Sequence, residues 1–299
     1  MKLSIITINR NNAEGLRKTL ASVAAQTYCD IEHIIIDGAS TDGSVEIIKD
    51  FAERMATDKR SPLTVIWSSE PDKGIYNAIN KGICKATGEY IQILNSGDRL
   101  AAPDVTERMI NALISLNAKR PTLNEHPVGI LYCNMLRDVE SGKLYRDTCR
   151  GNIHDKSLLP HEIEWTMNDF ICGTINHDPT YIHRDIYAKY GLYDEQLRIV
   201  SDWKWFVNVV VLGGEKVYYV PIDVTVFDTT GISETNLIAR EAERRAELEK
   251  MLPTAVLKDY NRYHFPIEQY KRLKKHHLWP LVCFLERILF KLEKWGITK

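Results

Sequence analysis

The feature that most restricts what this chain can fold into is an alternation in its N-terminal third. LSIITI, IEHIIID, LTVIWSS and YIQILN are separated by stretches with helical periodicity. Strand then helix, repeated, is the sequence sign of a parallel sheet with crossover helices. The strand segments are continuously apolar and rich in Ile and Val, as burial on both faces requires. The segments between them carry their own pattern. Ile75, Ala78, Ile79, Gly82 and Ile83 share one helix face while Asn77, Asn80 and Lys81 lie off it, and Leu16, Leu20 and Val23 repeat this earlier. STDGS at 40–44 supplies caps for the second helix.

After residue 125 the pattern loosens. GILYCNMLRD and GKLYRDTC, joined through VESG, read as a hairpin, followed by a loop-like stretch holding His154 and His161. From about residue 181 the chain reads as a helix (IHRDIYAKYG), a second helix (SDWKWFVNVVVLGG) and a short strand (KVYYVP). A charged helix over 236–252 and a basic tail over 255–299 complete it, which divides the chain into a domain of residues 1–235 and a helical extension of 236–299.

Composition narrows the function classes. A formal net charge of −1 gives no sign of nucleic acid as a partner. Six scattered cysteines (29, 84, 133, 149, 172 and 283), with no Cys-x-x-Cys pair, suggest neither a zinc site nor a disulfide framework, and favour a reducing, cytoplasmic setting. MKLSIITINRNN turns polar too early for a secretory signal, and no apolar run approaches the roughly 18 residues of a membrane span. His154 and His161 lack partners at metal-ligand spacing and receive no role.

In an open parallel sheet, ligands bind beyond the carboxyl ends of the strands. Here those ends carry Asn9, Asp37, the stretch Glu70-Pro71-Asp72-Lys73-Gly74, and Asn95-Ser96-Gly97-Asp98. Such a set suits a nucleotide diphosphate: Asp37 can accept from a base or ribose, Lys73 can face phosphate at a helix N-terminus, and Asp98 can hold a divalent cation. Each acid also has a plain reading, Asp37-Gly38 as a turn and Ser201-Asp202 as a helix start. No Gly-x-Gly-x-x-Gly and no Gly-Lys-Ser/Thr loop follows the first strand, which excludes the common dinucleotide and P-loop fingerprints.

SIITINRNNAEGLRKTLASVAAQTYCDIEHIIIDGASTDGS, SEPDKGIYNAINKGICKATGEYIQILNSGD and GLYDEQLRIVSDWKWF together resemble the family-2 glycosyltransferases of GT-A fold, in particular bacterial members that build cell-surface polysaccharides. The resemblance implies an α/β fold with a mostly parallel central sheet, a nucleotide-sugar donor such as a UDP-sugar, Mg or Mn, and transfer with inversion. It matches Thr7, Asn9 and Asp37 to the nucleoside pocket, and Asp72 and Lys73 to the loop near uracil and phosphate. It matches Asp98 to the last acid of the metal motif, Asp202 to the catalytic base, and His177 with Asp178 to the acceptor side. Many relatives end the fourth strand with Asp-Ser-Asp-Asp, so Asn-Ser-Gly-Asp leaves the cation one protein carboxylate plus diphosphate and water. Many also have Arg-Asn where Ile79-Asn80 stands, leaving Lys73 as the nearest cation. Phe227 and the GIS of 231–233 match a loop found after the catalytic acid and read equally as closure over the donor or a plain turn.

The tail adds a partner question. KRLKKHH at 271–277 precedes Leu281, Phe284, Leu285, Ile288, Leu289, Leu292 and Trp295 on one helical face, and residues 256–299 hold ten Lys or Arg against four Asp or Glu. Such a segment over 271–295 can lie on the inner face of the plasma membrane beside a lipid-linked saccharide acceptor, or pack on protein, in this chain or a second copy. A binding subunit without turnover and a sugar nucleotidyltransferase stay open as rivals.

Overall fold

The computed structural model describes residues 1–58, 63–118, 127–139, 143–147, 152–153 and 161–294. Cys149, His154 and Trp295 lie outside the described residues, as do the side chains of His161, Cys172, Leu289 and Leu292. The chain forms two compact units, Met1–Arg240 and Glu241–Lys299.

The first unit opens with β1 (Leu3–Asn9), α1 (Ala13–Ala24), β2 (Ile31–Asp37), α2 (Ser44–Thr57), β3 (Thr64–Ser69), α3 (Ile75–Lys85) and β4 (Tyr90–Ile93). These strands pair in parallel in the order β3-β2-β1-β4, so all four carboxyl ends meet along one edge. The period of two splits each strand between two faces. Leu3, Ile5 and Ile31 pack with Val23 of α1, Ile35 packs with Leu16, Leu20, Ile48 and Phe51 of α1 and α2, and Ile6 meets α3 on the other side at Gly82.

Beyond β4 come β5 (Arg99–Leu100), α4 (Val105–Ala118), β6 (Ile130–Val139), β7 (Lys143–Asp147), β8 (Asn152–Ile153), β9 (His161–Glu164), α5 (Met167–Cys172), β10 (Thr180–His183), α6 (Arg184–Tyr190), α7 (Ser201–Phe206) running into a π-helical turn (Val207–Leu212), β11 (Val217–Asp228) and α8 (Ile232–Thr235). α4 covers the same face as α1, with Met109, Ile110 and Leu113 in the core beside Leu3, Ile5 and Leu131. β10 joins the sheet between β4 and β6, antiparallel to both, and β6 runs parallel to β11. The sheet is therefore parallel over its first half and mixed beyond, in the order β3-β2-β1-β4-β10-β6-β11-β9-β8.

The hairpin read from GILYCNMLRD and GKLYRDTC is present as β6 and β7. Three expectations change. The stretch read as loop-like holds β9, in which His161 pairs with Tyr219 of β11. The helix read from about residue 181 starts at Arg184, because Thr180, Tyr181 and Ile182 are buried β-formers hydrogen-bonded to strands on both sides. The short strand KVYYVP continues to Asp228, passing Pro221 through a register shift between Tyr219 and Asp223 that absorbs the missing N–H.

The second unit is helical. α9 (Leu237–Met251) leads into it, followed by α10 (Thr254–Lys275) and α11 (Trp279–Lys294). Among the described residues, no helix is long and apolar enough to cross a membrane.

Candidate active site

The parallel strand ends build the floor of the site. Asn9, Asp37 and Ser69 stand in register across β1, β2 and β3. Asp37 is fully buried and its carboxylate accepts from Asn9 Nδ2 (2.9 Å), Ser40 N (2.9 Å), Ser40 Oγ (2.6 Å) and Ser69 Oγ (2.7 Å). Burial acts to raise its pKa, but the donors from Ser40, Ser69 and Asn9 outweigh it and hold the group below the usual carboxylate range. Asn9 Oδ1 in turn accepts from Ser96 Oγ at 2.8 Å, which ties the end of β1 to the turn after β4.

Above this floor opens a cavity of about 770 Å³. Asn9, Arg10, Asp72, Lys73, Tyr76, Asn95, Asp98, His177, Asp202 and Asp228 contribute to its wall, together with parts of the 195–199 and 230–233 segments. Lys73 and Arg10 are exposed there, and among the described residues neither makes a salt bridge. Asp72, by contrast, is held by Lys81 Nζ at 2.7 Å.

A line of polar groups crosses the cavity wall. His177 Nδ1 lies 3.0 Å from Asp202 Oδ2, and His177 Nε2 lies 3.3 Å from Asp178 Oδ1. Burial alone would depress the imidazole, yet Asp178, Asp202 and Asp98 around it win and raise His177 to about 9. The group is thus an imidazolium at neutral pH, with both ring nitrogens donating. Asn95 fits this state: its amide lies 3.1 Å from Nε2, and turning the amide over lets its oxygen accept from that nitrogen. Asp202 also accepts from the Tyr76 hydroxyl at 2.8 Å. Burial raises its pKa, but the His177 contact and the Tyr76 bond more than compensate, and Asp202 is lowered. It is an ionised carboxylate, 17% exposed, on the cavity wall.

Asp98 is in the opposite condition. It is 3% exposed, and burial followed by the charge of Asp178 pushes its pKa well above the carboxylate range, even though the Asp228 N–H donates to its Oδ1 at 2.8 Å. Two crowded acids, Asp98 and Asp178, with a buried Asp178 Oδ1 that has no hydrogen-bond partner among the described residues, are what a divalent cation bound against Asp98 would relieve. Asp228 brings a second carboxylate to this corner. Gly97, at φ 111°, makes room for it, since a Cβ there would stand 2.9 Å from Asp228 Oδ2. Among the described residues, no group of three or more His, Cys, Asp or Glu could by itself hold a metal ion. The hard oxygens of Asp98 and Asp228 therefore fit a cation whose shell is completed by phosphate and water.

Asn9, Asp72, Lys73, Asp98, His177 and Asp202 all meet at this cavity. Three residues singled out in the sequence do not line it. The Thr7 hydroxyl is buried between His33 Nε2 (2.9 Å) and Leu94 O (2.8 Å), Asp37 lies beneath Asn9 with its acceptor positions filled, and Asp178 stands behind His177. A helix does start at Ser201-Asp202, but its N-cap is Val200 with no side-chain cap bond, so Asp202 does not act as a cap. Asn95 was named only as part of the strand-end stretch 95–98 and given no role, and Tyr76 and Asp228 were not singled out. Asp228 did carry a signal, as an acid closing the segment VTVF.

A half-parallel sheet with a cleft at its carboxyl edge is the fold of the GT-A glycosyltransferases. Residues 4–119 match the family described as Glycosyl transferase family 2. An uncharacterized glycosyltransferase of Mycobacterium tuberculosis is 28% identical over 261 residues, covering 84% of this chain and 85% of that protein. A PGL/p-HBAD biosynthesis glycosyltransferase of Mycobacterium bovis is 23% identical over 250 residues, covering 83% and 85%. The fold is shared with S. aureus TarS 1-349 in complex with UDP-GlcNAc (TM-score 0.57, 15% identity, 79% of this chain and 61% of that one). It is shared too with a mannosyltransferase of Pyrobaculum calidifontis in complex with GDP-Man and Mn2+ (TM-score 0.56, 19% identity, 80% and 60%). This chain thus spans about three-fifths of the length of those solved chains. The match to glycosyltransferase family 2 lies in residues 4–119, and the glycosyltransferases it resembles align over 83–84% of the chain.

Proposed function

We propose that this enzyme transfers a sugar, with inversion, from a UDP-sugar to a hydroxyl of a saccharide or lipid-linked saccharide in the synthesis of cell-surface polysaccharide. The observation that carries this is the meeting of Lys73, Asp98 and Asp202 on one cavity wall. The nucleotide lies against Asn9 and Asp72, while Asp37 and Thr7 act from beneath by fixing the strand ends. Lys73 meets the diphosphate as an exposed cation. Asp98, aided by Asp228, holds Mg or Mn, which when bound would neutralise charge on the leaving diphosphate. Asp202, kept ionised by His177 and Tyr76, takes the proton of the acceptor hydroxyl. The UDP-GlcNAc and GDP-Man complexes of the structural neighbours, one of them with Mn2+, support a nucleotide-sugar donor and a divalent ion.

The catalytic part is assigned to residues 1–235 and a membrane-facing role to the basic, amphipathic helices of 236–299, which would keep the enzyme peripheral on the inner face of the plasma membrane. Liposome flotation of the full chain against one ending near residue 255, using anionic and neutral vesicles, tests that assignment; equal recovery removes it. The enzymatic reading is tested by Asp202→Asn. Transfer or donor hydrolysis falls by roughly 10²–10⁴ while UDP binding persists. Undiminished turnover overturns it.

A further inference from the structure

The Tyr76 hydroxyl occupies an unusual place. It stands 2.8 Å from Asp202 Oδ1 and 2.6 Å from the carbonyl oxygen of Ile199. A phenol has one hydrogen, while an ionised carboxylate and a carbonyl are both acceptors only, so the hydroxyl serves one of them at a time. The charged carboxylate is the stronger claimant. Once Asp202 is protonated that advantage is gone, and the carbonyl remains.

The surroundings fix this geometry from several sides. Tyr76 is 5% exposed, on the first turn of α3, with its ring 5.7 Å from that of Tyr193. The same helix grips the segment leading to Asp202. Asn80 donates to Tyr193 O (2.8 Å) and Glu195 (3.0 Å) and accepts from Tyr193 N (3.0 Å), and Asn77 donates to Glu195 (2.8 Å). Lys73 and Gly74, on the diphosphate side, immediately precede this turn. One short helix therefore joins the donor-facing loop to the carboxylate on the acceptor side.

We propose that Tyr76 is a positioning residue for transfer, holding the ionised Asp202 toward the cleft and turning its hydrogen to Ile199 O when Asp202 takes up the acceptor's proton. This deepens, and rests on, the reading of Asp202 as general base. In the step itself the acceptor O–H bond breaks and its proton passes to Asp202. The freed electron pair forms the new bond to the anomeric carbon, and the bond to the diphosphate breaks with its pair leaving on the diphosphate. Tyr76 neither gains nor loses a proton. Burial and the neighbouring Asp202 push its pKa well up, which keeps it a donor throughout. The other groups facing Asp202 are His177, with Asp178 and Asp98 beyond it, and Tyr193.

The test is a ¹³C NMR titration of the Asp202 carboxyl, assigned by its loss in Asp202→Asn. Tyr76→Phe raises the midpoint by about one pH unit, as loss of one hydrogen bond to a charged group requires. It leaves the affinity for UDP with Mn2+ unchanged. Replacing Tyr76 by 3-fluorotyrosine keeps the ring, so packing is retained, and moves the midpoint downward through a stronger donor. Midpoints that stay put in both proteins, or a loss of UDP affinity in Tyr76→Phe, overturn the proposal. An unmoved midpoint with an inactive Asp202→Asn removes the Tyr76 role alone, whereas an active Asp202→Asn removes the base reading.

Discussion

His177 donates from Nδ1 to Asp202 Oδ2 across 3.0 Å, and the pair couples protonation to stability. The imidazole is raised from 6.5 to about 9 in the fold, its burial overcome by Asp178, Asp202 and Asp98. A raised pKa contributes stability that is fully present below 6.5 and is lost as pH climbs through about 9. Denaturant unfolding is therefore expected to show wild-type protein weakening across that window by on the order of 1–3 kcal/mol. His177→Gln is expected to be less stable at neutral pH and to lose most of that slope.

The crowding of Asp98 against Asp178 makes function and stability pull in opposite directions. Asp98→Asn removes an acid that burial and its neighbour already disfavour as an anion, while the amide can still accept the Asp228 N–H. Without ligand, the variant is expected to melt no lower than wild type. UDP with Mn2+ at about 100 times its dissociation constant stabilises a binding-competent protein by about 2.7 kcal/mol. That shift, read by thermal denaturation, is expected for wild type and absent for Asp98→Asn.

β1 to β4 and the helices between them were legible because each is marked by local periodicity that burial on both faces enforces. β10 was not, since TYIH is a four-residue strand running straight into Arg184, and its state comes from β4 and β6, remote in sequence. The candidate site divides along the same line. A strand end shows which residues are near the cleft edge, and Asn9 and Asp98 followed from it. Depth below that edge is a matter of packing, which is why Thr7 and Asp37 were expected at the surface of the pocket and lie beneath it. Tyr76 acquires its meaning from Asp202, 126 residues away, and Asp98 from Asp228, 130 residues away.

Glu32 governs the acid limit of the fold. It is a buried carboxylate on β2, opposed by its own desolvation but held by Lys2, Ser4 and Thr87, and its pKa is lowered from 4.5 to about 2. A depressed acid contributes stability that is present above 4.5 and disappears as pH falls through about 2. Glu32→Gln keeps the size and removes the charge. It is expected to cost on the order of 2–3 kcal/mol near neutrality and to flatten the acid limb of a stability profile.

Gly82 sets two rules against each other. In the interior of a helix, alanine is preferred over glycine by about 1 kcal/mol. At this position a Cβ would stand 2.4 Å from Ile6 Cγ2, on a fully buried, β-branched side chain with little freedom at χ1. Overpacking of that kind costs about 1–3 kcal/mol, so the contact wins and Gly82→Ala is expected to be destabilising. Adding Ile6→Ala should make Gly82→Ala less costly than it is alone, a coupling readable in a double-mutant cycle. Because α3 also carries Tyr76, pushing it off the sheet moves the hydroxyl away from Asp202. Gly82→Ala is therefore expected to lower turnover even at temperatures where it remains folded, and full activity in a folded, destabilised variant would break the link between α3 seating and the base.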